Sequence, residues 1–202
     1  MKKQHWSILL IVLLLVVDQA TKILVKTTMH ADEMIPILGE RVYIYFVENP
    51  GFAFGMKFGG VIGKIILTLF RLIASTFIAL YIRKLIKKDA PLDVIIGLSA
   101  IFAGAVGNIF DSAFYGIIFN QSTYGAVAEF MPKSGGYAPF LQGHVVDMIY
   151  CPIIKGTYPD WFPMLGGDSF TFFKPIFNIA DSAITVGVLY LLIFQRKFFK
   201  EI

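Results

Sequence analysis

The chain reads as an all-α integral membrane protein: four transmembrane helices, N and C termini cytoplasmic, and a small β element in the first outer loop. Composition is the first ground for this. Of 202 residues 56% are hydrophobic and only 16% charged, whereas a soluble domain is about a quarter charged, so there is too little charge to coat a water-exposed surface. Four windows, about 7–25, 61–82, 92–119 and 177–194, come near the roughly 20 apolar residues of a spanning helix. Finally, nine of the 18 Lys and Arg flank these windows in short segments, which orients those segments toward the cytoplasm.

The first window follows Met1-Lys2-Lys3, a start that a secretory signal shares. No small-x-small cleavage site comes after it, and Asp18 and Lys22 extend it, so it reads as a retained span. The loop beyond it carries Arg41-Val-Tyr-Ile-Tyr-Phe-Val47, β-branched and aromatic without a breaker, then a turn at Asn49-Pro-Gly51, which predicts a short strand or hairpin. Arg83, Lys84, Lys87 and Lys88 separate the second and third windows on the cytoplasmic side; Arg196, Lys197 and Lys200 follow the fourth. Between the third and fourth lie two long stretches, about 113–142 and 151–174. In the latter, Trp161, Phe162, Phe170, Phe172 and Phe173 suit the headgroup level. No repeat or linker divides residues 1–202, which read as one domain.

Several chemistries drop out. A single Cys gives no disulfide framework, and His5, His30 and His144 are too scattered for an H-E-x-x-H metal site, so no metal or cofactor is expected. The +4 charge lies beside apolar spans rather than on one polar face, which argues against nucleic acid. Cys151 has only His144 nearby in sequence, with no orienting partner evident, so a thiol nucleophile is not expected.

Ionisable groups inside spans are functional suspects. Asp18 and Lys22 are one helical turn apart and can pair. In the second window Lys64 can snorkel outward, whereas Arg71 lies near mid-span at the depth of Asp18, which predicts a structural pair between the two helices. Ala100, Gly104 and Asn108 form a small-residue stripe for close helix packing, ending beside Asp111. Asn178, Asp181 and Thr185 share one face at the start of the fourth window, while Asp147 lies outside the third. Two carboxylates brought close cannot both ionise, so one can act as base on a water while the other donates a proton. Spacing alone leaves open a catalytic dyad, a cation or proton pathway, and, for Asp181, a cap on its own helix.

With these residues assembled, the chain resembles the lipoprotein (type II) signal peptidases of bacterial membranes. The resemblance is carried in order by Asp18-Gln-Ala-Thr-Lys22, Glu48-Asn-Pro-Gly-Phe-Ala-Phe-Gly55, Gly104-Ala-Val-Gly-Asn-Ile-Phe-Asp111, Val145-Val-Asp147 and Phe177-Asn-Ile-Ala-Asp-Ser-Ala183. It implies an aspartic endopeptidase of the bacterial cytoplasmic (inner) membrane, with its site at the extracytoplasmic face. Such an enzyme removes the signal peptide from diacylglyceryl-modified prolipoproteins, cutting before the lipidated Cys. On the matching positions Asp147 and Asp181 are the catalytic pair; Asn49, Gly51, Asn108, Asp111, Asn178 and Ser182 line or support the site; Asp18, Lys22 and Arg71 are structural polar residues. The implied partners are prolipoproteins, membrane lipids and a globomycin-type cyclic peptide inhibitor, with the enzyme acting as a monomer.

Two departures stand out. The family's Arg directly after the third motif's Asp is Ser112 here, so either another cation fills the space, Arg71 foremost and then Lys133 or Lys155, or the loss is tolerated with a water on Ser112; and the 113–142 stretch is longer than the family's connection. The rival reading is a non-enzymatic transporter subunit with Asp18, Lys22, Arg71 and Asp111 as a polar path.

Overall fold

The computed structural model describes residues 2–50, 60–172, 175–196 and 198. Helix α1 (Lys3–Thr28) leads into strands β1 (Met34–Leu38) and β2 (Val42–Asn49), then helices α2 (Gly60–Lys87) and α3 (Leu92–Phe110). A π turn, Asp111–Tyr115, continues α3 into a last helical turn, α4 (Gly116–Ile118). Strands β3 (Val145–Tyr150), β4 (Ile154–Thr157), β5 (Ser169–Phe172) and β6 (Ile176–Phe177) precede helix α5 (Ile179–Phe194).

Among the described residues three helical segments, Lys3–Thr28, Gly60–Lys87 and Leu92–Ile118, are long and apolar enough to cross a membrane, with mean hydropathies of 2.4, 2.2 and 1.8; α5 is apolar and shorter. Their outward faces expose Leu9, Leu13, Phe70, Phe77 and Val186. Such apolar surface is unfavourable against water but stable against hydrocarbon, where a helix satisfies its backbone internally. The chain is a multi-pass membrane protein.

Helix α5 begins two residues later than the apolar pattern suggests because Phe177 belongs to β6 and Asn178 caps the helix. Asn178 accepts from the Asp181 backbone and the Asp181 side chain reciprocates, a capping box. From there α5 runs antiparallel along α3, from the Asn108–Asp181 contact at one end to the Gln195–Asp93 contact at the other. The small-residue stripe is what lets it approach: a Cβ on Gly104 would sit 2.2 Å from the Ala180 carbonyl oxygen.

The expectation of an all-α chain with one β element needs correction. Among the described residues two sheets form, and the larger, antiparallel in the order β1-β2-β3-β6, takes strands from the connection after α1 and from the one before α5. The start of β3, Val145 to Met148, is buried without alternation. With cover on both faces it has no period-2 signal to betray it. The second sheet is the β4–β5 ribbon.

The 113–142 stretch also proves to be part of the scaffold. Residues 113–118 prolong the third helix, and the return segment donates backbone N–H groups to carbonyls that the helix end leaves free: Leu141 to Ala113, Ala138 to Gly116, Tyr137 to Phe119, and Gly143 to Ser112. Gly143 lies so close that a Cβ there would be 2.2 Å from the Asp111 carbonyl oxygen. Val25, Met29, Phe46, Tyr115, Phe119, Ala128, Val146 and Met148 form one core beneath this cap, joining α1, β2, β3 and the insertion.

Candidate active site

Asp147 occupies β3 opposite Val47 of β2, and Asn49, at the end of β2, pairs with Val145. Residues two apart on a strand share a face, so the Asn49 amide lies on the same side as Asp147 and donates to its Oδ2 at 3.0 Å. Asp181 comes from the first turn of α5, where the Asn178 cap fixes it. Asn108, near the C-terminal end of α3, reaches both through its own amide and that of Asn178.

Asn178 and Asn108 knit the two carboxylates together. Asn178 Nδ2 donates to Asp147 Oδ1 at 2.8 Å and lies 3.2 Å from Asn108 Oδ1; the Asp181 backbone N–H donates to Asn178 Oδ1 at 2.8 Å. Asn108 Nδ2 donates to Asp181 Oδ1, also at 2.8 Å. Asn178 is fully buried, and Asn108 and Asp147 are nearly so. Burial pushes the Asp147 carboxyl up to about 7; the charge of Asp181 adds to this, while the Asn49 and Asn178 amides oppose it. A carboxyl that changes protonation near neutrality can hold or surrender a proton during a reaction.

A second cluster supports this one from α1. Lys22 Nζ, fully buried, makes ion pairs with Asp18 at 2.9 Å and Asp111 at 2.7 Å and donates to Asn108 Oδ1 at 3.0 Å. Gln19 donates to Asp111 at 2.9 Å, and Asp18 Oδ1 accepts the Ala180 backbone N–H at 2.8 Å, anchoring the start of α5. The Asp18–Lys22 pairing is thus present. The expected Asp18–Arg71 pair is replaced by a different arrangement: Asp18 is committed to Lys22, Gln19 and Ala180, and the carboxylates acting most strongly on the Arg71 guanidinium are Asp181, then Asp147, then Asp111. Equal depth along two helices was not enough, because Asp18 has partners in Lys22 and Gln19 on its own helix and in the Ala180 backbone N–H.

Ser182 Oγ donates to Asn178 O within its own helix, and Ser112 Oγ donates to Asn108 O. Ser112 is buried, so the position where the family Arg is expected is packed. Gly51 lies outside the described residues.

Sequence reasoning passed over Lys26, Glu48 and Ser122 and left His144 without a partner. Lys26 Nζ forms an ion pair with Glu48 and donates to Ser122 Oγ at 3.1 Å. Ser122 Oγ donates to Glu48 Oε1 at 2.6 Å, and His144 Nδ1 lies 3.2 Å from Glu48 Oε2. The orienting group of His144 is therefore Glu48. A usable signal was present in the four-residue spacing of Asp18, Lys22 and Lys26, one face of α1.

The family model for signal peptidase (SPase) II matches residues 10–197. The chain is similar to a lipoprotein signal peptidase of Porphyromonas gingivalis, 48% identical over 91% of this chain and 80% of the relative. It is also similar to one from Amoebophilus asiaticus, 38% identical over 97% and 80%. Among solved structures, a bacterial membrane enzyme determined by the in meso method at 2.3 Å superposes with a TM-score of 0.60 at 27% identity, covering 96% of this chain and 88% of the other.

Proposed function

The chain belongs to the signal peptidase II family, and from that premise we propose a membrane aspartic endopeptidase with Asp147 and Asp181 as its catalytic pair. Its substrates are diacylglyceryl-modified prolipoproteins, cut before the lipidated Cys. The observation that carries this reading is the single network, Asn49–Asp147–Asn178–Asn108–Asp181, in which Asn49 and Asn178 donate to Asp147 and Asn108 donates to Asp181.

The pair shares one proton. The ionised carboxylate takes a proton from water as its oxygen attacks the scissile carbonyl carbon, and the protonated partner donates to the carbonyl oxygen. Collapse of the tetrahedral intermediate breaks the C–N bond, and the proton gained from water passes to the departing nitrogen. We assign to Arg71 the fixed cation that Ser112 lacks, its buried guanidinium lying within the field of Asp181, Asp147 and Asp111. A planar guanidinium fork suits carbonyl oxygens of a bound peptide. One chain contributes both carboxylates and their whole support, consistent with a monomer, and a globomycin-type cyclic peptide would occupy the same pair. A transporter path is not favoured, because Lys22, Asp18 and Asp111 close on one another.

The cleavage assay is direct. Purified enzyme in detergent releases a product beginning at the lipidated Cys, and the same prolipoprotein without diacylglycerol is cut far more slowly. Cleavage at another bond, or none of the lipidated form, would overturn the reading.

For topology we infer that α5 is the fourth span, with both termini in the cytoplasm and the pair at the extracytoplasmic face of the inner membrane. Support comes from the basic residues Arg83, Lys84, Lys87 and Lys88 between α2 and α3. Reporters fused after Lys88 and after Ile202 are expected to signal cytoplasm, and one inserted at Gly135 the outside. Gly135 sits in a turn with φ +86° and open space around it, so it tolerates insertion. A cytoplasmic signal from Gly135 would put the pair on the wrong side for exported substrates.

A further inference from the structure

We propose that Glu48 is a positioning residue for the reaction, and that the 119–144 insertion exists in part to hold it. The proposal rests on the Asp147–Asp181 assignment above. Glu48 lies one residue before Asn49 on β2 and pairs across the sheet with Val146, one residue before Asp147. It therefore sits at the rung of the ladder that sets the Asn49–Asp147 hydrogen bond.

Three elements converge on its carboxylate. Lys26 comes from α1; Ser122 comes from the insertion; His144 closes the insertion just before β3. The insertion in turn encloses Lys26: the ammonium lies 5.4 Å from the Phe119 ring centre and 5.1 Å from that of Tyr137, whose hydroxyl accepts the His144 backbone N–H at 2.6 Å. A cation held over two aromatic faces and paired with a carboxylate is stabilised at both ends. Burial alone would raise Glu48, but the His144 hydrogen bond, the Lys26 charge and Ser122 outweigh it and hold the carboxyl at about 2. Glu48 thus stays ionised throughout the working range. It fixes β2 to α1 and to the insertion, so that Asn49 meets Asp147 in register. Without that hold a strand end is free to shift, and the Asn49 donor that opposes the raised affinity of Asp147 for its proton is weakened.

The test compares Glu48→Gln, Asn49→Ala and Asp147→Asn in one lipidated-substrate assay across pH, with thermal unfolding measured alongside. The charged groups bearing on Asp147 are Asp181, Lys22 and Arg71; Glu48 faces Lys26 and the imidazole of His144, with Lys64 of α2 within its field; none is altered in these variants. Glu48→Gln is expected to lower kcat at least about tenfold with KM within about twofold, the pattern of lost transition-state alignment. Its alkaline activity limb should move upward together with that of Asn49→Ala, because both weaken the same bond to Asp147. Glu48→Asp is expected to regain part of kcat if its shorter carboxylate still reaches Lys26.

A Glu48→Gln enzyme with lower Tm but unchanged kcat and an unmoved limb would overturn the proposal, leaving Glu48 a stability element. Should Glu48→Gln fail to fold, Lys26→Gln combined with Glu48→Gln removes both charges together, and the same limb shift in that folded pair is required. Failure of the catalytic assignment would look different: Asp147→Asn itself would remain active.

Discussion

Asp147→Asn and Asp181→Asn each reduce cleavage of a lipidated prolipoprotein by at least about 10³-fold, and the double variant is little worse than either alone, because members of one catalytic unit do not contribute additively. Both replacements are isosteric and leave the protein folded in the membrane. The pH dependence follows from Asp147. Burial moves its carboxyl from 3.8 to about 7, so the singly protonated pair loses its proton as pH rises through about 7, and activity falls on that limb. Stability has the same sign. A group whose pKa is raised on folding contributes fully below its unfolded value, near 4, and loses that contribution as pH rises through its folded value. The wild-type Tm should therefore decline between about pH 4 and 8, and Asp147→Asn should flatten that decline. Near-normal turnover in either single variant would remove the residue from the reaction; an unchanged Tm–pH slope would deny that Asp147 titrates in this range.

The spans were legible because each carries its own signal: α1, α2 and α3 bear long apolar runs, and basic clusters punctuate them. Local pairings were legible for the same reason. Asp18 and Lys22 are one turn apart, and Gly104 and Asn108 mark a face that α5 does approach closely. What failed was whatever depends on contacts between distant segments. β3 has no alternation because both its faces are covered; the insertion gains its conformation from carbonyls at a helix end; and depth pairs Arg71 with Asp18, whereas Asp18 meets Lys22, Gln19 and the Ala180 backbone. The site itself divides in the same way. The candidates Asp147, Asp181, Asn49, Asn108 and Asn178 are named from their motifs, whereas the contact between Glu48 and His144, 96 residues apart, has no signal along the chain.

Lys22→Met is expected to cost about 3–5 kcal/mol, the range for breaking a buried ion pair by removing one member. Lys22 is wholly enclosed, with Asp18 and Asp111 at 2% and 0% side-chain exposure as its counterions. Removing the ammonium leaves two carboxylates facing each other in a medium that cannot solvate them. At about 2–4 °C per kcal/mol for a chain of this size, thermal unfolding in detergent should fall by roughly 10 °C. The effect should also exceed loss of stability. Lys22 holds Asn108 by its Oδ1 while Asn108 Nδ2 donates to Asp181, and Asp18 caps the α5 turn that carries Asp181. Turnover per folded molecule should therefore drop as well, measured at a temperature where the variant remains folded. Adding Asp111→Asn to Lys22→Met removes one of the stranded charges, so the double variant should be more stable than Lys22→Met alone. That ordering separates electrostatic stranding from simple loss of packing, since a packing defect would deepen with the second substitution. A Tm unchanged in Lys22→Met would mean that the cluster contributes nothing net to stability.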